Sequence, residues 1–117
     1  MIVDCHTHIL PDSFRKDKER ILRADATFEA LFGTRGSRTA SCSELLRSMD
    51  KTSIDSCIAL GYGWTSHEIA REANDYILES AINSDGRILP FCSVNPAWGI
   101  KAVAEVERCA EAGAIGI

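Results

Sequence analysis

Two histidines near the start of the chain, His6 and His8, have the type and spacing that suit metal chemistry. Residues 1–6 (MIVDCH) are apolar and β-branched enough to predict a strand. Side chains two positions apart on a strand point to the same face, so both imidazoles should project together, about 7 Å apart along the strand. Where such a strand curves at its carboxyl end, the pair can bind one divalent metal ion. His6 and His8 are therefore predicted metal ligands.

The neighbours of the two histidines divide between the faces of this strand. Asp4 has the same parity as the histidines, so we expect it to lie one layer further in and to accept a hydrogen bond from an imidazole N–H. Cys5 and Thr7 have the opposite parity and should face the helices that cover the sheet.

The elements that must position the pair alternate between strands and helices. The predicted strands are residues 1–6, 56–60, 88–94 and 114–117. The first predicted helix begins at Ser41, with Glu44 completing a capping box. Its apolar stripe is Leu45, Leu46 and Met49.

Two further amphipathic helices follow. One is opened by the capping pair Thr65 and Glu68 and ends near residues 84–86. Its inner face should be Ile69, Ala73, Tyr76 and Ile77. The other runs from Trp98 to Ala112, with Gly113 as the left-handed residue that follows it. Its inward residues should be Ile100, Val103 and Ala110.

This alternation indicates right-handed βαβ units, a parallel sheet and an α/β fold. A parallel sheet must be covered on both faces or closed into a barrel. A (β/α)₈ TIM barrel uses about 31 residues per unit, so 117 residues supply fewer than four units. We expect residues 1–117 to form the N-terminal half of such a barrel, as a fragment of a longer protein or as half-barrels that assemble into a homo-oligomer.

Composition narrows the class of protein. The net charge of −4 and the pI near 5.3 argue against a nucleic-acid partner, and no run of about 20 apolar residues predicts a membrane span. The chain has an odd number of cysteines and no Cys-x-x-Cys pair, so we expect reduced, mostly buried thiols in a cytoplasmic protein. These cysteines are Cys5, Cys42, Cys57, Cys92 and Cys109.

Residues 9–40 form a long connection after the first strand. They hold 7 of the 13 basic residues against 5 acidic ones. We interpret them as a charged, solvated loop with short helices near Thr27 to Phe32. A sharper alternative makes the segment a lid whose arginines meet an anionic substrate.

Several side chains follow the second and third strands, where barrel enzymes bind their substrates. Trp64 either packs against a substrate ring or caps the core. His67 either contacts substrate or faces solvent at a helix N-terminus, and Asn95 either binds substrate or caps a turn. Asp75 and Glu79 are predicted to form a solvated acidic helix face.

Four segments in order resemble the amidohydrolase-related ("amidohydrolase 2") family of the metal-dependent amidohydrolase superfamily. They are IVDCHTHILP, LLRSMDKTSIDSCIAL, NDYILESAINSDGRILPFCSVNP and AVAEVERCAEAGAIGI. The resemblance covers essentially the whole chain but only the N-terminal half of the family's domain. It implies a (β/α)₈ barrel in which His6 and His8 supply two ligands to one or two divalent ions. Further histidines and an aspartate would come from later strands, beyond residue 117.

The resemblance also implies a reaction. A divalent ion, Zn or alternatively Mn, would lower the pKa of a bound water to about 7 and polarise the carbonyl of a small amide, lactone or ester. The first alternative is non-oxidative decarboxylation, because some relatives use the same site for it and resemble this chain at HILP. A phosphoesterase class that also begins with Asp-x-His-x-His fits the later segments less well. A non-catalytic half-barrel module is the remaining alternative, and the isolated chain is expected to be inactive.

Overall fold

The computed structural model describes residues 1–117 and shows a parallel sheet whose strands alternate with helices, which confirms the α/β class. The elements in chain order are β1 (Val3–His8), α1 (Asp12–Lys16), α2 (Lys18–Ala24), α3 (Ala26–Phe32), α4 (Cys42–Thr52), β2 (Ser56–Leu60), α5 (His67–Ile82), β3 (Ile88–Pro90), a 3₁₀ turn (Pro96–Trp98) and α6 (Ile100–Glu111).

The three strands pair in sequence order, β1–β2–β3, as the first strands of a barrel would. Beyond β3, Phe91 makes a single parallel bridge to Gly116. The predicted strands 88–94 and 114–117 are therefore too long. Past this bridge, the chain continues into the 3₁₀ segment that begins at Pro96.

A bulge interrupts the pairing of β1 with β2. Asp4 is opposite Cys57 and Thr7 is opposite Ala59, so two residues of β1 face the single residue Ile58. The Thr7 hydroxyl donates to the Ile58 carbonyl across this irregularity. Such bulges bend a strand and redirect its side chains.

The prediction that residues 9–40 are a solvated loop is wrong. They form α1, α2 and α3, and they place Phe14, Ile21, Phe28 and Phe32 in the largest apolar cluster of the protein. These apolar residues recur at spacings of seven, seven and four, which is a helical pattern. The prediction of a loop relied on the number of charged residues and overlooked this spacing. The predicted helix near Thr27 to Phe32 is confirmed as α3.

The capping box that opens α4 is confirmed. The Ser41 hydroxyl accepts from the Glu44 N–H, and the Glu44 carboxylate accepts from the Ser41 N–H. Met49 is buried, whereas Leu45 and Leu46 are half-buried. The hydrogen bonds of this box fix the start of α4, and Met49 packs the helix into the apolar cluster that contains Cys57 and Ala59 of β2.

The predicted start of α5 is wrong by one residue. Ser66, not Thr65, caps the helix by accepting from the Ile69 N–H. The Thr65 hydroxyl is unavailable because it accepts from the Ala26 N–H at 3.0 Å. On the inner face, Ile69, Ala73 and Ile77 are buried as predicted, and Tyr76 is half-buried.

The predicted inner face of α6 is also wrong. Ile100 and Val103 are 79% and 51% exposed, and Ala110 is exposed as well. The buried residues are Ala102, Glu105 and Cys109. Gly113 has φ +104°, which confirms the predicted left-handed residue after the helix.

The burial of Glu105 explains why α6 turns a different face to the core from the predicted one. It is 2% exposed, and its carboxylate accepts from Asn74 Nδ2 at 2.9 Å and from two nitrogens of Arg108 at 2.8 Å. Burial alone would raise the pKa of Glu105, but these hydrogen bonds outweigh it and hold the pKa at about 2. Arg108 also pairs with the exposed Asp75 at 2.7 Å, and Glu79 is exposed as predicted.

The five cysteines are unpaired in the structure. Three of them are buried (Cys57, Cys92 and Cys109) and Cys42 is half-buried. Cys5 is exposed, so the prediction that it faces covering helices is wrong, because the bulge in β1 removes it from the regular alternation. None of the helices combines the length and the apolar composition that crossing a bilayer requires.

Candidate metal centre

His6 and His8 converge at the carboxyl end of β1. Their Nε2 atoms are 2.9 Å apart, and the ring centroids are 4.8 Å apart with 78° between the planes. The predicted convergence of the two imidazoles is confirmed, and they approach more closely than the regular strand spacing of about 7 Å would allow. Two nitrogen lone pairs at this distance repel each other unless a proton or a cation is shared between them.

A backbone carbonyl orients the His8 ring. His8 Nδ1 lies 3.0 Å from the Leu60 oxygen, on the neighbouring strand β2. A carbonyl only accepts, so Nδ1 is the donor, and in the neutral imidazole Nε2 is the nitrogen that has the lone pair. A metal-binding histidine typically has its other ring nitrogen held in this way.

Tyr62 is a site residue that the sequence did not single out. Its ring stacks on His8 with 4.1 Å between centroids and 15° between planes. Burial raises the pKa of Tyr62, which keeps the phenol neutral. The available signal was the position of Tyr62, an aromatic residue between two glycines directly after β2.

Asp4 does not occupy its predicted place. Its Oδ1 accepts from the backbone N–H of His6 at 3.1 Å, and no imidazole N–H reaches it. Paired residues of neighbouring strands point to the same face, so Asp4 lies on the Cys57 side of the sheet and His8 on the Leu60 side. The bulge between Asp4 and Thr7 is the reason that counting by parity failed.

The pair fits a divalent cation as two nitrogen ligands, since the two Nε2 atoms are 2.9 Å apart. The Leu60 carbonyl engages His8 at Nδ1, which leaves its Nε2 available. Within residues 1–117, no three His, Cys, Asp or Glu side chains come together as a metal site. Catalytic zinc sites usually have three protein ligands and an open position. A metal ion held here would therefore have two nitrogen donors from this chain and positions left for other ligands.

Trp64 belongs to the core. It is fully buried and packs edge-on to Phe14 and Tyr62, at centroid distances of 6.2 and 5.2 Å. Of the two alternatives for Trp64, the structure shows the cap on the core, and the ring has no exposed surface for a ligand. Its Nε1–H has no hydrogen-bond partner and lies against Gly61, where an added Cβ would be 3.1 Å away.

Asn95 and His67 make contacts within the chain near the ends of β3 and β2. Asn95 Oδ1 accepts from the Ala97 N–H and Nδ2 donates to the Trp64 carbonyl, so it caps the 3₁₀ turn. His67 lies edge-on to Trp98 with 5.2 Å between ring centroids. A substrate contact by either residue stays a prediction.

Asp25 joins the α1–α3 segment to the loop after β2. Its carboxylate is 1% exposed and accepts three backbone hydrogen bonds. One comes from Phe28 at 2.9 Å, and two come from Thr65 and Ser66 at 2.8 and 2.7 Å. Tyr62 and Trp64 lie on this loop, so Asp25 helps to place the wall of the site.

The comparisons with known proteins agree with this geometry. The family model described as Amidohydrolase matches residues 3–117. The chain belongs to the amidohydrolase family. No curated protein sequence matches this amidohydrolase chain significantly.

A solved structure shares the fold. It is 5-carboxyvanillate decarboxylase from Novosphingobium aromaticivorans, in complex with manganese and 4-hydroxy-3-methoxy-5-nitrobenzoic acid. The TM-score is 0.78 and the sequence identity 20%, over 100% of the amidohydrolase chain. The match covers 40% of the decarboxylase, which agrees with a half-barrel.

Proposed function

We propose that this chain provides part of the metal site of a metal-dependent hydrolase that acts on a small amide, lactone or ester. The observation that carries the proposal is the pair of Nε2 atoms of His6 and His8, 2.9 Å apart at the carboxyl end of a parallel strand. A divalent cation, Zn in this proposal with Mn as the alternative, supplies Lewis acidity that lowers the pKa of water and polarises a carbonyl.

The chain's own residues prepare the two nitrogens. In the neutral imidazole, the Leu60 carbonyl holds the proton of His8 on Nδ1, which leaves Nε2 as the nitrogen that can bind a cation. Tyr62 covers one face of the His8 ring and keeps water from that face. Asp4 acts on the backbone of His6 and supports the bulge, which makes it a positioning residue.

The remaining ligands and the general base belong, in this proposal, to segments outside residues 1–117. Two histidines alone leave a zinc ion short of the usual three ligands and offer no carboxylate to deprotonate the attacking water. The isolated chain should therefore bind metal weakly and have no turnover. The unpaired cysteines support a cytoplasmic location as part of the proposal.

Decarboxylation is the second candidate function. The structure with the shared fold is a decarboxylase that holds manganese and a substituted benzoic acid. A small aromatic acid as substrate and manganese as cofactor are the corresponding proposals for this chain.

Metal titration by calorimetry tests the proposed site. We expect the chain to bind Zn²⁺ or Mn²⁺, and we expect His6→Ala/His8→Ala to abolish binding. His67→Ala is the matched control, since His67 is the one other histidine, and it should bind as the parent does. In zinc-soaked crystals the metal should lie roughly 2.0 to 2.2 Å from each Nε2. Binding that survives the double substitution would exclude the His pair and would favour a non-catalytic module.

A substrate panel tests the reaction. Amides, lactones, esters and aromatic acids are assayed with added Zn²⁺ and Mn²⁺, with release of acid or of CO₂ as the readout. Turnover is expected from the protein that carries all the family's strands, and the released product decides between hydrolysis and decarboxylation. Turnover by the isolated chain that His6→Ala/His8→Ala abolishes would overturn the proposal that segments outside it are needed.

A further inference from the structure

A cavity of about 420 Å³ lies among α1, α3, the loop 33–40 and the start of α4. Its volume falls within the range typical of small-molecule sites, roughly 300 to 1,000 Å³. Neither His6 nor His8 lines it. It is therefore separate from the metal centre, and an inference about it does not rest on the proposed function.

The floor of the cavity is aromatic and closely packed. Phe28 lies 5.8 Å from Phe14 and 4.8 Å from Phe32, measured between ring centroids. The three rings are between 0% and 8% exposed, so they are held in place by the core. The rings are inclined to one another, by 84° between Phe14 and Phe28 and by 37° between Phe28 and Phe32, and Phe32 is the most exposed of the three at 8%. The floor therefore offers a ligand ring a preformed apolar contact, mainly at Phe32, at little cost in ordering.

The rim of the cavity is cationic. Arg15 pairs with Glu44 at 2.7 Å, and the hydrogen bond from Arg15 is the main reason that the pKa of Glu44 falls to about 2. This pair is neutral overall. Lys18 and Arg38 also line the cavity, and neither has a carboxylate within 4.0 Å.

Lys18 is held in position, while Arg38 is free to close over a ligand. Lys18 Nζ donates to Ser37 Oγ at 3.0 Å, and Ser37 Oγ donates in turn to the Phe32 and Thr34 carbonyls. Arg38 is exposed and makes no hydrogen bond within the chain. Lys18 and Arg38 are therefore two cations without a carboxylate partner at the rim of a cavity whose floor is aromatic.

We propose that this cavity binds a small aromatic anion of the arenecarboxylate class, with its ring against Phe32 and its carboxylate between Lys18 and Arg38. A guanidinium and an ammonium group both donate to a carboxylate in charge-assisted hydrogen bonds. Phe32 is in edge contact with Tyr62 at 5.7 Å, and Tyr62 stacks on His8. The ligand in this cavity is thus two aromatic side chains away from the metal centre.

Calorimetry with benzoate as the probe tests the proposal. The parent chain should bind benzoate saturably, and more tightly than benzamide, which lacks the charge, or cyclohexanecarboxylate, which lacks the flat ring. Lys18→Met/Arg38→Met should weaken binding by about tenfold or more, as expected for the loss of two ion pairs. Arg35→Met is the matched control, because Arg35 is on the same exposed loop but does not line the cavity.

The outcomes separate this site from the metal centre. Benzoate binding that His6→Ala/His8→Ala leaves unchanged supports the proposal, whatever happens to metal binding. Binding lost in that double variant places the ring at the histidines and overturns it. Absence of saturation, or equal losses in Arg35→Met and Arg38→Met, also overturns it. The single substitution Arg38→Met removes no hydrogen bond or ion pair within the chain, and urea unfolding of this variant should match that of the parent.

Discussion

Tyr62 lies parallel to the imidazole of His8, with 4.1 Å between ring centroids and 15° between ring planes. The Leu60 carbonyl holds the same imidazole at its edge through Nδ1. The stack with Tyr62 restricts rotation of the ring, and the Leu60 carbonyl sets its tautomer. Both partners of His8 come from β2 and the loop that follows it, so the geometry of the histidine pair depends on the junction between the first two strands.

Substitution of Tyr62 should reveal this dependence. Tyr62→Ala should lower the affinity for Zn²⁺ by roughly 2- to 12-fold, because an aromatic pair contributes about 0.5 to 1.5 kcal/mol. Tyr62→Phe keeps the stack and should bind as the parent does. Competition with a chelator measures both. Equal losses in the two variants would assign the effect to the hydroxyl group and not to stacking.

Asp25 should be among the most costly polar residues to remove. Asp25→Ala leaves three N–H groups without their acceptor, one in a buried contact and two in half-buried ones, and one buried group costs about 1 to 3 kcal/mol. We expect the free energy of unfolding to fall by about 3 kcal/mol or more in urea titrations. Asp17→Ala, which removes an exposed ion pair with Arg20, is the control and should cost less than about 1 kcal/mol. A loss no larger than that of the control would contradict the assigned role.

Stability should decrease in acid through Glu105. Its pKa in the folded chain is about 2, below the ordinary 4.5, so the folded state favours the charged form. The stabilisation is present above pH 4.5 and is lost as the pH falls toward 2, by on the order of 3 kcal/mol. Glu105→Gln should be less stable at neutral pH and should lose less on acidification. Urea unfolding at several pH values measures the two slopes, and parallel slopes would count against this explanation.

The open edges of the sheet should make the isolated chain associate. β1 has a strand neighbour on one side only, and Val3, Ile115 and Ile117 are 36%, 63% and 68% exposed. Unpaired edges with exposed apolar side chains promote edge-to-edge pairing. Light scattering should detect oligomers whose size grows with concentration.

A charge placed at an edge provides the test of this mechanism. Val3→Lys/Ile117→Lys should shift the distribution toward the monomer, because lysine on an edge opposes pairing. Ile82→Lys is the matched control: Ile82 is 77% exposed but lies at the end of α5. A monodisperse parent chain at high concentration would refute the prediction, and an equal effect of Ile82→Lys would point to general solubility.

Local signals in the sequence were sufficient for much of the fold. Alternating apolar patterns predict the parallel α/β class, the capping box at Ser41 and Glu44 marks the start of α4, and the spacing of His6 and His8 predicts their convergence. These features depend on residues close together in sequence, so they can be found without knowledge of tertiary contacts.

The features that could not be predicted depend on distant contacts. The buried face of α6 is set by Glu105, which is stable inside only because Asn74, from α5, and Arg108 satisfy its carboxylate. Thr65 fails as a cap because Ala26, 39 residues earlier, occupies its hydroxyl. Tyr62 lies beside His8 because β1 pairs with β2. The local sequence pattern does not show which loop will lie next to His8.

Because of the bulge in β1, the number of residues along this strand differs from the number along its partner β2. Four residues lead from Asp4 to His8, but their partners Cys57 and Leu60 are three residues apart. Because His8 is anchored to Leu60, deletion of Cys5 would restore a regular ladder while His8 kept its position on β2. His6 would then return to ordinary strand spacing and its Nε2 would move away from that of His8. The length of this strand, one residue greater than the ladder needs, is thus itself a determinant of how closely the two nitrogens approach.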